Sequence, residues 1–376
     1  MKKIVALLLA LIMVFALVAC GNTETPSEPN TPSEPNTPAE SNDPSEPVDD
    51  KVYTLVFSTQ SPGASTATAA IQKYLDAITE RSNGRIQWEL YTDASLVESS
   101  GIIDALATGL CDAGMVNYAH QGGKLDLAGV TALPGVYSNS WEATYTLFDM
   151  FDNQDSAFRK QLQDNGLVLI GAFMSDGNVI FSKEPINDIS DLAGKRVIST
   201  TTAIDDILDR AGAIVVGFST TESYEALSKN TADACANMSF TSAATFAIEE
   251  VCGYCYQLNF CSGPNLYCMS QASWDALPAD LQQIIRDVMF EEQPSILYET
   301  YVLEVDKEIG SYDKFINAGG VVTVPTADQI AAFQTEYGQQ IWADWVKRMN
   351  DAGYDGQAVL DEFLATYKNH AGTCPY

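Results

Sequence analysis

Strand-like and helix-like stretches alternate through most of this chain, and that rhythm admits few architectures. KVYTLVFS from Lys51 reads as a strand, and Ile71, Tyr74, Leu75 and Ile78 follow at helical spacing until Gly84 stops them. RIQWELY from Arg85 then places Ile86, Trp88 and Leu90 on one face at period two, a second strand. Ile102, Ile103 and Leu106 predict a helix, and DAGMVN from Asp112 a short buried strand. The order returns with GLVLIGAF from Gly166, a helix around Ile204, Ile207 and Leu208, AIVVGF from Ala213, a helix carrying Tyr224, Ala226 and Leu227, and ADACAN from Ala232. Repeated strand–helix–strand crossovers demand parallel neighbours, so each array predicts its own mostly parallel sheet flanked by helices. The expected fold class is α/β with two lobes.

From Ser273 the apolar residues Leu277, Leu281, Ile284, Ile285, Val288, Ile296 and Leu297 keep helical spacing as far as Ile316. One helix of about 40 residues would span on the order of 60 Å, more than one small lobe, and so would brace both. The expected division is lobe I over 51–172 with about 260–280 returning to it, lobe II over 173–259, the bridging helix over 273–316, and C-terminal helices over 317–376.

The first 50 residues are of another kind. Lys2 and Lys3 precede an apolar run from Ile4 to Ala19 that ends at Leu17-Val18-Ala19-Cys20-Gly21, which resembles a lipoprotein signal over residues 1–19. That resemblance implies lipid on Cys20 and a protein held on the membrane surface, extracytoplasmic, without crossing it. From Asn22 to Asp50 TPSEPN occurs twice and nothing can bury a core, so 20–50 reads as an extended tether. At about 3.1 Å per residue it would reach on the order of 90 Å.

Charge narrows the partners. The chain carries -30, and removal of Lys2 and Lys3 leaves 18 basic against 50 acidic residues, about -32. Nucleic acid is excluded as a partner, because its phosphates would be repelled.

Several segments together resemble one family. ITERSNGRIQWELYTDASL from Ile78, GIIDALATGLCDAGMVN from Gly101, VTALPGVYSNSWEA from Val130, FSKEPINDISDLAGKRV from Phe181, AGAIVVGFSTTESYEALSKNTADA from Ala211 and ASWDALPADLQQII from Ala272 are similar, in order and spacing, to solute receptors of tripartite ATP-independent periplasmic (TRAP) transporters. The resemblance implies a hinged, two-lobed periplasmic-binding-protein fold, type II-like. It also implies capture of a small polar solute, an organic acid, in an interdomain cleft, and delivery to an ion-gradient-driven TRAP permease. A receptor for another transporter type, such as an ABC importer, is the alternative.

In such receptors an arginine four residues after the glycine of the Asp-Leu-x-Gly turn grips the ligand carboxylate. Here the glycine is Gly194 and the fourth residue on is Ile198. Arg196 lies two positions earlier, on the same strand face but about 6.6 Å further back, and is the candidate carboxylate partner. The competing reading makes it a surface partner for a nearby acid such as Asp191. Strand ends supply the other candidate ligand contacts: Gln60, Asn117, Tyr118, Phe173, Asn178, Asn237 and Phe240. For the aromatics, packing beneath the cleft is the competing reading.

The cysteines carry three readings: small buried hydrophobes, one disulfide among Cys111, Cys235, Cys252, Cys255, Cys261, Cys268 and Cys374, or a bound metal. Their gaps repeat no CxxC pair, and His120 and His370 lie far away in sequence, so no metal is expected. No Gly-x-Ser-x-Gly elbow, phosphate-cradling loop or histidine metal motif is present, so no catalytic residue and no cofactor is expected. The enzyme alternative is a carboxylate-pair hydrolase, which would show turnover where a receptor shows stoichiometric binding.

Overall fold

The computed structural model describes residues 50–174, 177–260, 262–303 and 311–375. The expected signal over 1–19, Cys20 and the tether up to residue 49 lie outside them. The body from Asp50 onward is one compact unit.

In lobe I, β1 (Tyr53–Ser58) pairs in parallel with β2 (Ile86–Tyr91) and with β3 (Ala113–Asn117). Leu55 and Phe57 of β1 and Ile86 of β2 turn one way, onto α1 (Thr66–Arg81), whose Ile71, Tyr74, Leu75 and Ile78 are fully buried. Ser65 caps α1 through its side chain, and Asn83 and Gly84 end it in the left-handed conformation. Burial of each such side chain contributes about 1.5–3 kcal/mol. The opposite face of the sheet is covered by α2 (Ile102–Thr108), α3 (Ser140–Asp152) and α4 (Ala157–Asp164), all packed into a second core.

The sheet is completed in the order β2-β1-β3-β10-β4, with β4 at Leu167–Met174 and β10 at Pro264–Ser270. Lobe II holds β5 (Asn178–Ser182), β6 (Arg196–Ile198), β7 (Ile214–Val216), β8 (Ala234–Met238), β9 (Tyr254–Phe260) and β11 (Val321–Thr323), in the order β11-β9-β5-β8-β6-β7. Its helices are α5 (Thr202–Arg210), α6 (Ser223–Ser228) and α7 (Phe240–Thr245).

Each sheet has one antiparallel strand, β10 in the first and β5 in the second. Each is the strand that has just arrived from the other lobe. The chain leaves β4 and enters β5 across residues 175–177, and leaves β9 and enters β10 across 261–263. Consecutive strands thus lie in different sheets at both places. All strands parallel to β4 and β9 consequently end on the side where the lobes are joined.

The expected 40-residue brace is segmented. The chain forms α8 (Gln271–Asp275), α9 (Ala279–Glu291), α10 (Gln293–Leu297), a π-helical run Tyr298–Leu303, and α11 (Ser311–Asn317). Pro278 starts α9 afresh, and Pro294 breaks the helix at Glu292 because proline cannot donate to the carbonyl of Phe290. Tyr145 of α3 donates its hydroxyl to that carbonyl instead, at 2.9 Å. Helices α9 and α10 pack on α1 in lobe I, whereas α11 packs on α7 in lobe II, so the chain changes lobe a third time between 303 and 311.

The C-terminal region, expected to be helical from 317, begins with the edge strand β11, where Gly319 and Gly320 lead into the β-branched run Val321-Val322-Thr323. Then come α12 (Ala327–Phe333), a π-helical turn, α13 (Gln339–Asp351) and α14 (Gly356–His370). Helix α14 packs on α3, while α13 reaches α5, where Arg210 bonds Asp344 at 2.8 Å. Phe333, Ile341, Trp345 and Phe363 of these helices share one core with Leu147 of lobe I and Ile207 of lobe II.

Candidate functional site

A cavity of about 900 Å³ lies among the lobe-joining segments. Lobe I supplies Tyr137, Ser138 and Asn139 from the loop before α3, and lobe II supplies Gly177, Val179, Phe240 and Gln257. Tyr298 of the π-helical run, Tyr312 and Asp313 of α11, and Phe333, Gln334 and Tyr367 of the C-terminal helices close the remaining sides. A smaller hollow of about 200 Å³ sits at the ends of β1 and β4, lined by Gln60, Ser61, Met115, Phe173, Asn265 and Tyr267. A narrow slot of about 10 Å³ borders both: it shares Ser140 and Tyr298 with the large cavity, and Phe173 and Leu297 with the small one.

The loop 134–140 is held from behind. The Tyr367 hydroxyl accepts the N–H groups of Ser138 and Asn139 at 3.0 and 3.1 Å and donates to Glu142 at 2.9 Å. Burial and the Glu142 carboxylate raise its pKa, while the Ser138 and Asn139 bonds pull the other way. The Trp342 indole donates to the Pro134 carbonyl at 3.0 Å, and Tyr137 bonds the backbone of Ser262 in the crossing between β9 and β10. Gly135 has φ +72°, a left-handed conformation that favours glycine, and the end of the Gln334 side chain fills the space where a Cβ would lie.

Of the residues expected at the site, Gln60 and Phe173 line the small hollow and Phe240 the large one. Asn178 opens β5 opposite Phe260, between the wall residues Gly177 and Val179. Asn117 stands one layer back: its amide donates to Asn265 at 3.0 Å and its carbonyl caps Ala119. Tyr118 is packed under the lobe crossing against Gly263, where a Cβ would fall 1.6 Å from its ring, and burial pushes its phenol up to about 12. Asn237 is buried, donates to Ser223 at 3.2 Å, and keeps its side-chain oxygen without a hydrogen bond in the interior of lobe II.

Arg196 lines neither hollow. It sits at the entry end of β6, away from the lobe junction, and grips Asp233 with Nε at 2.9 Å and Nη2 at 2.7 Å. The Arg196 guanidinium holds the Asp233 carboxyl down to about 2. Its partner is thus Asp233 rather than Asp191, whose carboxylate instead accepts the N–H groups of Asn187 and Asp188. Ile198, at the exit end of β6, is fully buried among Val179, Phe181 and Cys235.

Sequence reasoning missed Tyr298, Tyr312, Asp313, Gln334 and Tyr367. Only the Pro134-Gly135 turn, followed by the capping residue Asn139, signalled a shaped loop.

Cys111, Cys235, Cys252, Cys255 and Cys268 are buried, and burial raises all five thiols, which makes them poor nucleophiles. Cys261 lies outside the described residues. Among the described residues no group of three or more His, Cys, Asp or Glu side chains is placed to hold a metal, and no helix is long and apolar enough to cross a membrane.

Residues 57–348 match the DctP family, described as bacterial extracellular solute-binding protein, family 7. The chain belongs to that family. A solute-binding protein of Albidiferax ferrireducens is 25% identical over 303 residues, covering 77% of this chain and 86% of the relative. Two solved TRAP solute-binding proteins share the fold of this family-7 chain. One from Desulfovibrio salexigens, in an open complex, has a TM-score of 0.75 at 21% identity, over 85% of this chain and 97% of its own. Another, from Rhodoferax ferrireducens with copurified benzoate, has a TM-score of 0.73 at 20% identity, over 86% of this chain and 99% of its own.

Proposed function

We propose that this family-7 protein captures a small polar solute between its lobes and delivers it to an ion-gradient-driven TRAP permease. The observation that carries this reading is the repeated passage of the chain between the two sheets around a cavity bordered by both lobes, because such passes let two sheets rotate about a short hinge while their strand ends face the ligand. The family supports an extracytoplasmic place for it, and lipid on Cys20 is the anchor proposed here, with the tether as spacer. Organic acids are the leading solute class, on the precedent of the neighbour that copurified with benzoate. The cleft acts by binding and release without chemical turnover.

The test is a thermal-shift screen of residues 51–376 against small metabolites, followed by solution scattering with each hit. A receptor gives a stoichiometric complex with a smaller radius of gyration than the empty protein. Consumption of the hit, or binding without compaction, rejects the reading. Mass analysis of membrane-extracted protein checks the anchor: a diacyl-modified N-terminal Cys20 supports it and an intact residue 1–19 segment refutes it.

A further inference from the structure

The charge of the cleft wall is lopsided. Among the described residues, no lysine, arginine or histidine borders the large cavity, the slot or the small hollow. Among the described residues that line these spaces, Asp313 is the one with a carboxyl side chain, and it is exposed. The neighbouring cation, Lys314, is turned away and bonds Glu249 at 2.7 Å and the Ala244 carbonyl at 2.8 Å. Position 198, where the resemblance implies a guanidinium, holds a core isoleucine, and Arg196 is consumed by Asp233. Around Asp313 the wall is aromatic: Tyr312 lies 5.2 Å from Phe240, ring centre to ring centre, and Tyr298, Tyr137, Tyr367 and Phe333 line the same space.

Among the described residues, a free carboxylate entering this space would meet another carboxyl side chain and no cationic one, in a protein of net charge -30. A positively charged nitrogen would meet the opposite: a carboxylate able to make a charge-assisted bond, and ring faces that attract cations. Resting on the receptor reading of the cleft, we propose that the solute carries an ammonium group, primary or quaternary, and that Asp313 and the surrounding rings receive it. Ser138, Gln257 and Gln334 on the same wall offer neutral donors to a hydroxyl or carboxylate elsewhere on the solute, so an amino-acid-like or betaine-like organic acid fits as well as a simple amine.

Thermal shift and calorimetry test this with phenylethylammonium, choline, phenylalanine and glycine betaine against benzoate, phenylacetate and succinate. The expected result is binding confined to the ammonium-bearing set, weakened about tenfold or more in Asp313→Asn, as for loss of one charge-assisted bond, and restored in Asp313→Glu. Because Asp313 also sits in the first turn of α11, the melting temperature of the empty variants is read beside the affinity, and equal melting temperatures separate recognition from folding. The inference is overturned by binding confined to the carboxylate-only set, by ammonium binding that survives Asp313→Asn, or by no binding from the ammonium set. If the carboxylates bind and compact the protein, the receptor reading stands while this inference falls. If nothing binds and no compaction is seen with either set, both fall.

Discussion

Four donors converge on one buried side chain at the rear of the cleft. The Glu142 carboxylate accepts the N–H groups of Gly372, Thr373 and Cys374 at 2.6, 3.2 and 3.4 Å, and the Tyr367 hydroxyl at 2.9 Å. It therefore pins the C-terminal turn to the start of α3 and fixes the tyrosine that holds the cavity loop. Glu142→Ala is expected to cost about 2–3 kcal/mol, since several hydrogen bonds to one buried carboxylate are lost together. Urea denaturation measures the loss, and limited proteolysis should show the tail cut earlier than in the parent protein. Arg196 and Asp233 make a different prediction at the same scale. The folded pKa of Asp233, about 2, lies below its unfolded value of about 3.9, so the pair stabilises the fold above about pH 4 and ceases to do so as pH falls towards 2. The melting temperatures of the parent and Arg196→Ala should thus differ at pH 6 and converge near pH 2, with ligand affinity at pH 7 unchanged. A large fall in affinity would return Arg196 to the ligand site. How far single residues could be read in advance depended on strand direction: Gln60 and Phe173 end strands that run to the lobe junction, whereas Arg196 begins one, and β6 is only three residues long.

At the scale of elements, the kink at Pro294 and the Tyr145 hydroxyl form one unit, because the hydroxyl takes the carbonyl that the proline leaves vacant. Tyr145→Phe alone is expected to cost about 1–3 kcal/mol. In a Pro294→Ala background the new N–H can reach the Phe290 carbonyl, so the same change should cost much less. A double-mutant cycle by chemical denaturation reads the coupling, and additive effects would refute it. This segment also shows where periodicity stops being informative. Apolar spacing persists from Leu277 to Ile316, but Pro278 and Pro294 interrupt the backbone that carries it, and only the proline rule marks those breaks. The strands of lobe I were legible because one face of each is buried, as in Leu55 and Phe57, which imprints alternation on the sequence. Tyr298, Tyr312 and Tyr367 were not legible as wall residues. Each sits on a helical segment, and which of its faces meets the cavity is decided by packing against α3, α7 or lobe I rather than by spacing.

For the whole molecule, the cleft is bordered by both lobes and by the C-terminal helices, while the core behind it is shared by all three. Closure on a ligand is therefore expected on the side away from that core, bringing the loop 135–140 towards Phe240 and Tyr312 without disturbing Trp345 or Phe363. Hydrogen exchange with and without ligand checks this: protection is expected in 135–140 and 311–317, with the amides of 341–349 unchanged. The placement of β10 has another consequence. It is the wedge between β3 and β4, yet it is made about ninety residues after β4, so until then those two strands lack their common neighbour. As synthesis proceeds from the N-terminus, lobe I waits with open edges while lobe II is being built. The two halves are finished almost together, and a chain stopped before residue 264 should be left without either one properly assembled.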